Sequence, residues 1–162
     1  MPTEIIRSWT KIRLEDLDSI AKEIWTLLPK PGLLALDAEM GSGKTTLVRA
    51  LLQEAQIAHF EGSPTFAIVQ NYESPSKGQV YHLDCYRIEN ENELLNLGLE
   101  ELLDSNAYFF IEWPQKIERI LPKPHFRLYI RIESDLSREI TLHYDHWSTF
   151  AQNVNPTRST PA

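Results

Sequence analysis

The chain predicts a three-layer α/β domain with a mixed, partly antiparallel sheet, and three observations carry that prediction. Leu33 to Leu36 is a short apolar run that enters a glycine-rich turn and then a segment with a helical apolar face. Strand-like and helix-like segments alternate through the first two thirds of the chain. Beyond residue 125 the pattern changes to strands alone, which favours a mixed sheet over a fully parallel one.

In order, Leu14, Leu17, Ile20, Ile24 and Leu27 recur at helical spacing and predict an amphipathic helix from about Leu14 to Leu28. Pro29, Pro31 and Gly32 end it. Leu33 to Leu36 is the first buried strand. Thr45 to Ala55 is helical, with Leu47, Ala50, Leu51 and Leu52 on its apolar face. Ala67–Val69 and Val80–Leu83 read as strands around a Pro75–Gly78 hairpin loop. Between Ile88 and Ala107, leucines interleave with six acids and no Lys or Arg, which predicts short amphipathic helices broken near Gly98. Tyr108–Ile111 is a second buried strand. Phe126–Ile132 and Glu139–Tyr144 alternate and pair as a hairpin. Residues 1–147 are expected to form one domain. Residues 148–162, polar and containing Pro156 and Pro161, are expected to be a disordered tail.

Composition narrows the function. A length of 162 residues with 42% apolar and 10% aromatic content suits one core, burying roughly 70% of the unfolded surface. It is short of the about 200 residues that a TIM barrel needs. Acids outnumber bases 23 to 16, for a net charge of −7, which argues against a free-standing nucleic-acid binder. It leaves room for a component that works beside a basic partner. Cys85 is the single cysteine, so no intramolecular disulfide forms, consistent with a reducing cytoplasm. No apolar run approaches the ~20 residues of a membrane span. The mixed polar and charged segment from Met1 to Arg13 is not a signal peptide.

The strongest chemical signal is Ala38-Glu39-Met40-Gly41-Ser42-Gly43-Lys44-Thr45-Thr46, set between the first strand and the second helix. That is the context a phosphate-binding P-loop requires. Backbone N–H groups of such a loop wrap phosphates, Gly41 and Gly43 permit the backbone angles, and the helix N-terminus adds positive potential. Lys44 is expected at the β- and γ-phosphates, Thr45 on Mg²⁺ and Thr46 toward the α-phosphate. The usual first glycine is Ala38 here, which is tolerated if its φ is negative. The fold class becomes a P-loop NTPase-like domain.

Such proteins also need a carboxylate at the end of a second core strand to handle Mg²⁺ and its water. Asp84 and Glu112 both qualify, each closing an apolar strand. Chain order alone does not divide their roles.

The loop, followed by Ser63-Pro64-Thr65-Phe66, Tyr72, His82-Leu83-Asp84-Cys85-Tyr86-Arg87, Gly98 and Glu112-Trp113-Pro114, resembles the TsaE family, formerly YjeE. The likeness spans about Leu14 to Tyr144. The resemblance implies a small bacterial ATPase that binds ATP or ADP with Mg²⁺ and is weakly active alone. It implies action with the TsaD–TsaB pair in forming the threonylcarbamoyl group on adenosine 37 of tRNAs reading codons that begin with A. In that scheme tRNA is reached only through the complex, and the transfer itself is made elsewhere. By match to the motifs, Thr45 and Glu112 are implied as Mg²⁺ ligands, with Asp84 as the second acid near the γ-phosphate and the attacking water. Lys44, Asp84 and Glu112 form the implied catalytic set. Ser63-Pro64-Thr65 is the implied switch-like loop, and Trp113 is implied beside the nucleotide, where it reads as a lid on the base or as packing. Thr10 and Arg138 are placed at the base or ribose end.

Several of these residues also admit plainer readings. His82 is expected to be structural, or to orient Asp84. Cys85 reads as a small core residue, and Arg87 as a transition-state finger or as a partner for an acid such as Glu112. The acidic segment from Glu89 to Asp104 reads as a solvated face or as a docking surface for basic residues. The competing functions are a small P-loop metabolite kinase and a nucleotide-gated binding module. A kinase of this size usually brings an arginine-bearing lid, whereas Arg87 is the only arginine from Val69 to Ile111.

Overall fold

A computed structural model of the chain describes residues 3–28, 30–60, 62 and 68–145. The sheet runs β1 (Thr3–Ile12), β7 (Arg138–Asp145), β6 (His125–Ile132), β2 (Leu33–Ala38), β5 (Tyr108–Glu112), β4 (Gly78–Asp84) and β3 (Val69–Ser74) from edge to edge. The four central strands, β6, β2, β5 and β4, are mutually parallel. The outer strands pair antiparallel. The mixed sheet is therefore as expected.

Helices α1 (Leu17–Leu27) and α2 (Lys44–Glu54) cover one face. They bury Ile24, Leu47 and Leu51 against Leu34, Leu36, Phe110 and Leu128. The short helices α3 (Glu91–Leu97) and α4 (Leu99–Leu103), with a 3-10 segment at Pro114–Ile120, cover the other face over Leu83, Phe109 and Ile111. Two cores on opposite faces of one sheet make the three layers. Trp25 joins the first core's elements. Its indole N–H donates to the Leu51 carbonyl at 2.9 Å, and its ring stands edge-on to Tyr108 and Phe110.

The α3–α4 break falls where expected, at Gly98, whose φ of 64° is left-handed and favours glycine. Three expectations need correction. Leu14 does not belong to the buried face of α1: it sits 73% exposed in a 3-10 turn, Leu14–Asp16, and α1 begins at Leu17. The Arg13 N–H donates to the Asp16 carboxylate at 2.8 Å, which fixes that turn. The strand after the P-loop helix runs to Ser74 rather than ending at Val69, while Ala67 lies outside the described residues. β1 has no counterpart in the sequence reading. Only Trp9 and Ile12 along it are buried, and two register shifts against β7 break the period of two that would have marked it. The tail assigned to residues 148–162 lies outside the described residues. Among those described, no helix is long and apolar enough to cross a membrane.

Candidate nucleotide site

β2 ends at Ala38 and α2 starts at Lys44, so the loop between them hangs at the carboxyl end of the central strands. Gly41 and Gly43 take φ of 77° and 103°, and a Cβ built at either would meet nothing within 4 Å. Glycine is needed there for backbone angle, and the space beside it is open for a ligand. Ala38 has no positive φ, so alanine replaces the usual glycine without strain. Ser42 is 2% exposed, and its Oγ has no hydrogen-bond partner among the described residues.

Lys44 Nζ donates to the Ala38 carbonyl at 2.7 Å and lies 4.0 Å from the centre of the Trp113 ring. Burial pulls the Lys44 amine below its ordinary value, and the nearby Glu112, Asp84 and Asp37 carboxylates oppose that fall. Trp113 holds φ 57° and ψ 52°, the left-handed region. For a bulky residue that costs about 1–2 kcal/mol, and the ring packs between Lys44 and Tyr86, the latter with centroids 5.0 Å apart.

The two acids that chain order could not separate are register partners. Asp84 and Glu112 end the adjacent parallel strands β4 and β5, and Glu112 in turn stands opposite Leu36 of β2. Glu112 is 2% exposed. Its Oε1 accepts the Thr45 hydroxyl at 3.0 Å, and its Oε2 lies 2.8 Å from His82 Nε2. Asp84 is more open and accepts the Tyr86 backbone N–H at 3.1 Å. Burial pushes its carboxyl above the usual range, the Tyr86 N–H works against that, and the Glu112 charge adds to the rise.

The structure thus brings Gly41, Ser42, Gly43, Lys44, Thr45, Asp84, Glu112 and Trp113 to one end of the sheet. Thr46 is exposed on the first turn of α2. Arg138 reaches the loop itself: its Nε donates to the Ser42 carbonyl at 2.8 Å and a terminal nitrogen donates to that of Gly41 at 3.4 Å. Thr10 is exposed on β1. Beside the loop, a cavity of about 420 Å³ is lined by Arg13, Leu17, Ser42, Gly43 and Arg138. Neither Arg13 nor Leu17 is marked as a site residue by local sequence, because the fold alone brings the turn before α1 against the P-loop. His82 bonds Glu112 rather than Asp84, correcting the expected partner. The His-x-Asp spacing places His82 and Asp84 on the same sheet face but carries no sign of Glu112, which comes from the neighbouring strand β5. Cys85 is fully buried, and burial pushes its thiol up to about 12, as a core residue requires. Arg87 is exposed and forms no ion pair among the described residues. Ser63-Pro64-Thr65 lies outside them.

These residues fit a nucleotide with Mg²⁺. No cluster of three or more His, Cys, Asp or Glu among the described residues would hold a metal unaided. Mg²⁺ commonly takes one or two carboxylates and completes its shell with water and phosphate oxygens. The Thr45–Glu112 pair facing an open, amide-lined loop matches that pattern, and the unpartnered Ser42 Oγ is a further polar contact in the cradle.

A parallel core sheet with a glycine-rich loop between β2 and α2, and an acid closing the neighbouring strand, defines a P-loop fold. Comparison with known proteins narrows the class. The family model described as "Threonylcarbamoyl adenosine biosynthesis protein TsaE" matches residues 12–140, and the chain belongs to the TsaE family. A relative from Bacillus subtilis, named tRNA threonylcarbamoyladenosine biosynthesis protein TsaE, is 34% identical over 134 residues, which is 82% of each chain. Relatives of the same name from Borreliella burgdorferi and Haemophilus influenzae are 37% and 33% identical, covering 65% and 68% of this chain and 76% and 68% of theirs. The crystal structure of Bacillus subtilis YdiB superposes with a TM-score of 0.71 at 27% identity, covering 88% of both chains. These relatives favour the tRNA-modification reading over a metabolite kinase.

Proposed function

We propose that this chain is a Mg²⁺-dependent ATPase serving threonylcarbamoylation of adenosine 37 in tRNA, acting in the cytoplasm with TsaD and TsaB. The observation that carries the reading is the Thr45 hydroxyl bonded to Glu112 beneath an open P-loop, with Asp84 beside it. Membership in a family named for this tRNA modification supplies the pathway.

The chemistry follows from the residues. The loop amides and Lys44 bind the phosphates, and Lys44 leaves the Ala38 carbonyl and the Trp113 face to do so. Thr45 and Glu112 hold Mg²⁺, which supplies neutralisation of charge on the β- and γ-phosphates when bound. Asp84 orients the attacking water, and burial raises its carboxyl above the usual range, the direction that favours taking up a proton. The cavity beside Arg13 and Arg138 receives the ribose and base end. Hydrolysis is slow alone and rises when TsaD–TsaB docks. The acidic chain need not grip tRNA, because its partners do.

The test is calorimetric titration of ATP into wild type and Lys44→Ala, followed by hydrolysis rates with and without TsaD–TsaB. Loss of binding in the variant and partner-stimulated hydrolysis in wild type are expected. Unchanged affinity in Lys44→Ala, or stimulation by a metabolite that becomes phosphorylated, would overturn the reading.

A further inference from the structure

Glu112 is held from two sides. Thr45 on α2 donates to Oε1 at 3.0 Å, and His82 on β4 lies 2.8 Å from Oε2. A carboxylate with both oxygens engaged by different elements has its plane fixed. His82 is fully buried, and nothing about packing alone calls for an imidazole there. Val80 and Asp84 flank it on the same face of its strand, Phe110 and Gln70 stand opposite it on β5 and β3, and the Phe60 ring lies 6.1 Å away. A leucine or phenylalanine would fill such a place without carrying a polar ring out of water.

The hydrogen bond also fixes the tautomer. Carboxylate Oε2 accepts, so Nε2 carries the hydrogen. His82 Nδ1 is then left buried with no partner among the described residues, which is unfavourable for a polar atom out of water. The one side-chain bond that the imidazole makes among the described residues goes to the acid under the P-loop.

We infer that His82 is a positioning residue: it locks Glu112 so that Oε1 faces Thr45 and the Mg²⁺ position. This rests on the ATPase reading above but goes beyond it, since it assigns the alignment of the metal-binding pair to a residue that touches neither nucleotide nor metal. Its effect belongs to Mg²⁺-dependent binding, separate from the grip of the loop on phosphate.

The experiment measures affinity for a non-hydrolysable ATP analogue in excess Mg²⁺ and in EDTA, for wild type, His82→Leu and His82→Gln. Gln places an amide N–H near the position of Nε2 and is the variant expected to fold most like wild type. His82→Leu should keep the EDTA affinity within about twofold while losing about 10–100-fold of the Mg²⁺-dependent gain. His82→Gln should recover most of that gain. The same gain in His82→Leu as in wild type, or an equal loss in both variants, overturns the inference and leaves the ATPase reading intact. A wild-type chain with no Mg²⁺-dependent gain at all overturns the ATPase reading and the inference with it.

Discussion

Glu112 and Asp84 end neighbouring strands, yet their surroundings differ in kind. Glu112 is buried and doubly hydrogen-bonded, while Asp84 is more open and has its carboxyl pushed upward by burial. The first environment suits a fixed ligand and the second a group that handles water. Glu112→Ala should therefore weaken both hydrolysis and the Mg²⁺ dependence of nucleotide binding. Asp84→Ala should lower hydrolysis by about 100-fold or more with little change in affinity. Steady-state rates beside calorimetric affinities separate the two, and hydrolysis equal to wild type in either variant removes that residue from the mechanism. At this scale much of the site was legible. Gly41, Gly43, Lys44 and Thr45 are adjacent in the chain, and local chemistry alone marks them. The Thr45–Glu112 bond was not, because it spans 67 residues and exists only through the β2–β5–β4 strand order. His82's true partner was hidden for the same reason, since it reaches across to the next strand.

The elements were legible where one periodicity dominated. α2 and β5 are short, strongly apolar and bounded by clear punctuation, and the structure keeps their bounds nearly as expected. β1 was not, because an edge strand with two register shifts carries no regular pattern, and its pairing is decided by β7. The element contact that matters most for the site is α1 on α2, since α2 carries Lys44 and Thr45. Trp25 anchors it through the Leu51 carbonyl and the edges of Tyr108 and Phe110. Trp25→Phe removes the indole hydrogen bond and leaves a small void. It should lower stability by about 1–2 kcal/mol in urea unfolding. ATP affinity should stay unchanged, because the loop's own bonds to Arg138 remain. A loss of affinity without a loss of stability would show that α1 acts on the site in some other way.

For the whole molecule, a large pH-dependent contribution comes from a group far from the nucleotide site. His125, at the start of β6, is 2% exposed, and its pKa is pulled down to about 4, first by burial and then by the Lys123 charge. The unfolded chain takes up that proton near pH 6.5, whereas the folded one does not until about pH 4. The folded state is therefore penalised as pH falls from 7, and at pH 5 this residue alone should cost about 2 kcal/mol. Urea unfolding at the two pH values measures it, and His125→Gln should show a shallower fall. Equal slopes would mean that His125 titrates normally in the fold.

At the same scale the net charge of −7 fits the proposed role, in which the chain works on nucleotide and leaves tRNA to partner proteins. The measurement that tests this most directly is reconstitution of threonylcarbamoyladenosine formation on tRNA with TsaD, TsaB and ATP, comparing no added chain, wild type and Lys44→Ala. Repeated turnover with wild type and its loss in the other two arms is the predicted result. Equal modification in all three arms would contradict the account.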